Sequence, residues 1–141
     1  MRFVLDNSVA MRWLLRDGSV ERLAYAEKVL AELAQPDGSA LVPGIWALEA
    51  ANVMVKAQAR QLVTEARSAA FARLLQDMAI ATDPHTATYA LGDTLQLARR
   101  FKLSSYDASY LELAMREGLP LATLDGDLRI AMAQTGVALV G

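Results

Sequence analysis

Leu119-Pro120-Leu121-Ala122-Thr123-Leu124-Asp125-Gly126-Asp127-Leu128 runs from an apolar stretch straight into an acidic turn. An apolar β-type run, a turn and then a helical pattern read as a buried strand handing over to a helix. Carboxylates at the exit of a buried strand are costly unless something satisfies them. Asp125 makes chemical sense there if other carboxylates converge on it and a cation sits among them. Three other acids are placed to do so: Asp6, Glu49 and Asp107. Asp125 also has a plainer reading as the cap of the last helix, with Asp127 a first-turn acid of the same helix.

The rest of the chain supplies a sheet for that strand to join. Phe3 to Leu5 reads as a first strand, stopped by the turn formers Asp6-Asn7-Ser8. Helical patterns follow over Val9–Leu15 and from Val20 through Leu33, then a second strand over Ala40–Val42. A long helix is expected over Ile45–Arg60, and another starts at Thr64-Glu65. Met78–Ala81 reads as a third strand, and Asp83-Pro84 as the start of a helix carrying Leu91, Leu95, Ala98 and Phe101. Gly92 weakens that helix from within. Ser104-Ser105-Tyr106-Asp107 is a capping pattern opening the next helix, which Gly118 ends. After the Leu119–Thr123 strand come a short helix over Asp125–Ala133 and a fifth strand over Val137–Val140. Strands alternating with helices predict an α/β fold with a mostly parallel sheet, whose site lies beyond the carboxyl ends of its strands.

Composition bounds the partners. Residues 1–141 are expected to form one domain, 54% apolar and therefore able to bury a real core. The 14 basic and 16 acidic side chains give a net charge of −2, which by itself offers no polyanion-binding surface. Four carboxylates neutralised on a cation would leave the basic side chains in slight excess, so a nucleic-acid partner stays open. Cysteine is absent, which excludes disulfides, thiolate metal sites and thiol nucleophiles. No signal-peptide core or membrane-length apolar run is present, and a soluble cytoplasmic protein is expected.

Each acid has two readings. Asp6 is a ligand or the cap of the helix after it. Glu49, expected in mid-helix, is a solvated surface residue or a site residue; Trp46, Asn52 and Val53 surround it at helical spacing, with no Lys or Arg there. Asp107 is a ligand or the third residue of a capping box. Gathered carboxylates repel one another and hold their protons unless something positive joins them. No lysine follows Lys102 and only Arg129 lies near the Asp125 turn, so a hard divalent cation is the natural neutraliser.

Four segments in this order carry a family resemblance: Phe3-Val4-Leu5-Asp6-Asn7-Ser8-Val9, Trp46-Ala47-Leu48-Glu49-Ala50-Ala51-Asn52, Ser105-Tyr106-Asp107-Ala108 and Ala122-Thr123-Leu124-Asp125. The chain resembles PIN-domain ribonucleases over essentially its whole length, and within them the VapC-type toxins of toxin–antitoxin pairs. The resemblance implies a three-layer α/β/α fold with a five-stranded sheet of order 3-2-1-4-5. It implies an endoribonuclease dependent on Mg²⁺ or Mn²⁺, with Asp6, Glu49, Asp107 and Asp125 as its acidic pocket. Ser8 and Thr123 match polar positions that order such a site. Asn52 is expected to support Glu49 or its helix, and Asp127 is read as a capping acid before an extra ligand. An RNA substrate, a cognate antitoxin protein and a homodimer are implied by the same likeness.

Other readings fit less well. A phosphate-receiving regulator wants a lysine after its last strand, and a haloacid-dehalogenase-type phosphatase wants an aspartate at position 8, where Ser8 stands. A non-catalytic module of the same fold remains the alternative. Arg12, Arg16, Arg73, Arg99, Arg100 and Arg129 are candidates for phosphate contact and equally for solvated surface charge. Trp13, Leu14 and Trp46 are expected in the core, with the lining of a partner groove as the alternative, and the single histidine, His85, is read as structural or surface.

Overall fold

Phe3, Val4 and Leu5 have no solvent exposure at all. A continuous apolar run of this kind suits a parallel strand covered on both faces. In the computed structural model, which describes residues 1–141, they form β1 (Arg2–Leu5) at the centre of a four-stranded sheet. One neighbour is β2 (Ser39–Val42), in register Phe3 to Ala40, and outside it lies β3 (Ile80–Thr82). The other neighbour is the two-residue β4 (Leu121–Ala122), in register Leu5 to Ala122. All pairs are parallel and the order is β3-β2-β1-β4.

Helices α1 (Asn7–Leu15) and α2 (Val20–Leu33) join β1 to β2, and α3 (Trp46–Ala59) and α4 (Glu65–Asp77) join β2 to β3. The chain then returns past β1 to β4 through α5 (Thr86–Tyr89), a π-helical turn at Ala90–Thr94, α6 (Leu95–Phe101) and α7 (Ser105–Glu117). Parallel crossovers are right-handed, so connections running opposite ways along a sheet cover opposite faces. That reversal makes the space beyond β1 and β4 a switch point. Helix α7 packs on both of those strands, and α8 (Gly126–Thr135) leaves from β4 and packs on α7. Gly118, in the left-handed region at φ 64°, ends α7 and turns the chain into β4.

The expected fifth strand is reduced to a single parallel bridge between Leu139 and Leu121. The segment does lie on the outer edge of β4, with the Leu121 N–H on the Ala138 carbonyl at 2.9 Å. It has little to pair with, because β4 is two residues long and the chain turns off at Thr123 into the acidic turn. The helix expected from Pro84 is also interrupted. The π-helical turn spans Ala90–Thr94 around Gly92, the residue with least helical preference in that stretch. Trp46 and Leu14 are buried as expected; Trp13 is half-buried, its indole N–H on the Ala26 carbonyl at 2.8 Å. His85 is exposed.

Candidate active site

The end of β1 and the end of β4 are tied at the backbone, where the Asp6 N–H donates to the Ala122 carbonyl at 2.9 Å. Asp6 is 5% exposed. It occupies the cap position of α1, yet its carboxylate makes no capping bond. Its Oδ2 instead accepts the hydroxyls of Ser8 and Thr123, each at 2.7 Å. Those hydroxyls in turn accept backbone N–H groups of the acidic turn: Leu124 on Ser8 Oγ at 3.1 Å and Asp125 on Thr123 Oγ1 at 3.0 Å. The two hydroxyls thus fix the Asp6 carboxylate and stitch the Asp125 turn to β1.

The other acids arrive on different elements. Asp125 both caps α8, accepting the Leu128 N–H at 2.8 Å, and faces Asp6. Asp107 lies in the first turn of α7, half-buried, its N–H on Ser104 Oγ at 3.0 Å. Glu49 lies in the first turn of α3, also half-buried, rather than in mid-helix as expected. Its Oε1 accepts the hydroxyl of Tyr110, a side chain with no solvent exposure. In the sequence Tyr110 looks like core filler and does not stand out as a site residue; the available signal was its place one turn after Asp107 on the same helix.

The acids feel one another's charge pairwise: Asp6 that of Asp125, Glu49 those of Asp6 and Asp107, and Asp107 those of Asp125 and Asp6. Burial pushes the Asp6 carboxyl up, against the two hydroxyl bonds, and the charge of Asp125 pushes it further. Burial also raises Glu49, with Asp6 and Asp107 adding repulsion and the Tyr110 hydroxyl opposing it. Asp107 is pushed up to about 6, by burial first and then by Asp125 and Asp6. Asp127 is exposed and acts only as a minor further charge on Asp107. Asn52 is exposed and no side-chain hydrogen bond links it to Glu49. Arg129 is the one basic candidate placed at the turn: its Nε donates to the Thr123 carbonyl at 2.8 Å, and its guanidinium lies 4.8 Å from the Tyr25 ring centroid. Arg12 and Arg16 pair with Asp17 and Glu27.

The donor set suits a hard cation, being all oxygen, with burial first and like charges next raising the proton affinities of Asp6, Glu49 and Asp107. No three of these acidic side chains are placed to ligate one ion together. The spacing therefore fits an ion that keeps several waters and touches one or two carboxylates, the usual habit of Mg²⁺.

The same crowding of acids makes stability depend on pH with a definite sign. Asp6, Glu49 and Asp107 all hold protons more tightly folded than unfolded. Between the unfolded Asp107 value of 3.8 and its folded value of about 6, the folded chain therefore holds more protons than the unfolded chain. Without divalent cation, stability from these groups is greatest below that window and is lost as pH rises through it. Asp83, whose pKa is lowered, titrates below 3.8 and stays out of the window. Thermal unfolding in EDTA should show a falling Tm between about pH 4 and 6.5. Millimolar Mn²⁺ should restore Tm at the upper end and do little at the lower. An EDTA profile that rises steadily through this range would contradict the clustering.

A family model described as PIN domain matches residues 3–132. Among solved structures, the crystal structure of PAE2754 from Pyrobaculum aerophilum is similar over 99% of this chain and 91% of that one, with 24% identity and a TM-score of 0.60. At that identity the likeness bears on the fold. No curated protein matches the sequence significantly.

Proposed function

Because this chain belongs to the PIN-domain family, whose members are generally nucleases that use divalent metals, we propose that it is a Mg²⁺- or Mn²⁺-dependent endoribonuclease and the toxin component of a toxin–antitoxin pair. The observation that carries the nuclease reading is the meeting of Asp6, Glu49, Asp107 and Asp125, from four separate parts of the chain, at the switch point beyond β1 and β4. Capping explains Asp125. It does not explain Asp6, whose carboxylate is held by the Ser8 and Thr123 hydroxyls, or Glu49, which is raised in proton affinity by burial and by its neighbours.

In this reading Asp6, Asp107, Asp125 and Glu49 hold the cation, directly or through its waters. The bound ion supplies a lowered water pKa and a positive charge against a phosphoryl oxygen. Ser8 and Thr123 keep one lone-pair edge of Asp6 occupied, so its other oxygen, Oδ1, is the one free for the site. In the cation-free chain Asp107 is pushed up to about 6 by burial and by Asp125 and Asp6, a cost that a bound cation relieves. Arg129, clamped at Nε and stacked on Tyr25, presents the remainder of its guanidinium as a fixed positive charge for a phosphate. The toxin role and its antitoxin and homodimer rest on the sequence likeness to VapC-type toxins. No helix is long and apolar enough to cross a membrane.

Cleavage of single-stranded and structured RNA by the purified chain, with Mg²⁺, with Mn²⁺ and with EDTA, tests the reading. Cuts that need the cation and disappear in EDTA are expected. Undiminished cleavage in EDTA would overturn the metal-dependent reading, and RNA binding with no cleavage in either cation would favour the non-catalytic module.

A further inference from the structure

Helix α7 reaches the acidic site twice. Asp107 enters it directly, and three residues on Tyr110 enters it through Glu49. Tyr110 is fully buried, and its hydroxyl donates to Glu49 Oε1 on α3, 61 residues away. Glu49 has no basic partner: its surroundings are Tyr110 and the like charges of Asp6 and Asp107. A half-buried carboxylate facing two others would swing toward solvent unless something held it. The Tyr110 hydroxyl is its only side-chain hydrogen-bond partner in the structure. The ring is locked by packing in the core between the sheet and α7, so the hydroxyl is a fixed donor and not a mobile one.

We propose that Tyr110 is a positioning residue of the active site: its buried hydroxyl holds the Glu49 carboxylate toward Asp6 and Asp107, and so sets the affinity of the site for its divalent cation. This deepens the metal-nuclease reading and rests on it. Groups that orient a metal ligand by hydrogen bonding change metal affinity by about 10- to 100-fold when removed. Tyr110→Phe deletes only the hydroxyl and leaves the ring in the core.

The test is Mn²⁺ binding by the full chain, read from the electron paramagnetic resonance signal of the free ion, independently of any cleavage. Four proteins are compared: the unaltered chain, Tyr110→Phe, Glu49→Gln and the double variant, each checked for cooperative unfolding. Tyr110→Phe should weaken Mn²⁺ binding about tenfold or more. In the Glu49→Gln background the same change should cost less than about twofold, because a residue acting through Glu49 has nothing left to act on. Unchanged Mn²⁺ affinity in Tyr110→Phe overturns the assignment and leaves the metal-nuclease reading intact. Equal weakening in both backgrounds also overturns it, since that is the signature of a generally loosened core. A folded, unaltered chain that binds no Mn²⁺ overturns the metal reading itself, and the role of Tyr110 with it.

Discussion

Asp6→Asn is expected to lower RNA cleavage by at least about a hundredfold, the upper end of the loss caused by removing a group that merely supports a metal ligand. The same change should leave Tm in EDTA unchanged or raise it. Asn is nearly the same shape, and its side-chain oxygen can go on accepting the Ser8 and Thr123 hydroxyls that Asp6 Oδ2 accepts. What disappears is a charge whose burial and whose proximity to Asp125 both oppose ionisation. Removing it relieves the folded state at neutral pH. Activity and stability should thus move apart, as they do where a site is kept strained for function. Cleavage and thermal unfolding on the same preparation check both halves. A variant that cuts RNA as well as the unaltered chain would remove Asp6 from the machinery, and one that loses activity and stability together would make its role structural.

The largest stability loss is expected elsewhere. Arg116 on α7 sits between two buried acids, Asp83 after β3 and Glu112 one turn earlier on its own helix, with side-chain exposures of 18%, 2% and 5%. Its Nη2 reaches Asp83 Oδ2 at 2.7 Å and its Nε reaches Glu112 at 3.0 Å, and its face covers the Tyr89 ring. The two acids respond in opposite directions. Burial pushes Asp83 up, but the Arg116 pair and the bonds from the His85 N–H and the Thr86 hydroxyl bring it below its ordinary value. For Glu112 burial prevails over Arg116, and the carboxyl ends up raised. The difference is one of donors, since Asp83 has partners besides the arginine and Glu112 does not. Arg116→Met should therefore strand both acids and cost about 3–5 kcal/mol. That corresponds to a Tm lower by roughly 10–17 °C in a chain of this size. Adding Glu112→Gln should recover part of the loss, because it removes the acid that depends on Arg116 alone. Urea unfolding of the single and double variants measures both. A loss under about 1 kcal/mol would place the triad with exposed ion pairs.

Much of the architecture could be read from the chain because its signals are local. The unbroken apolar run Phe3–Leu5 announces a strand buried on both faces, and Asp6-Asn7-Ser8 announces its end. Ser104, Gly118 and Asp125 each carry a helix boundary in a single side chain or φ angle, and each stands at that boundary in the structure. Val137–Val140 has strand-like composition, but pairing is a property of two segments, and β4 offers only two residues to pair with. Asp125 needed both of its readings, since one carboxylate caps α8 and faces Asp6 at once. Asp127 and Asn52, equally prominent in the sequence, lie exposed. What stayed hidden was contact between residues far apart in the chain: Tyr110 with Glu49, and Arg116 with Asp83. Both are set by where α7 packs, and no periodicity or spacing encodes that.

Whether these carboxylates hold a divalent cation is read from the manganese anomalous signal of crystals of the full chain grown or soaked in Mn²⁺. A peak at coordination distance from Asp6 Oδ1, with Asp107, Asp125 or Glu49 reached directly or through its waters, is the expected result. Full-occupancy Mn²⁺ bound only elsewhere, or no peak at Asp6 at Mn²⁺ concentrations that support RNA cleavage, would contradict it.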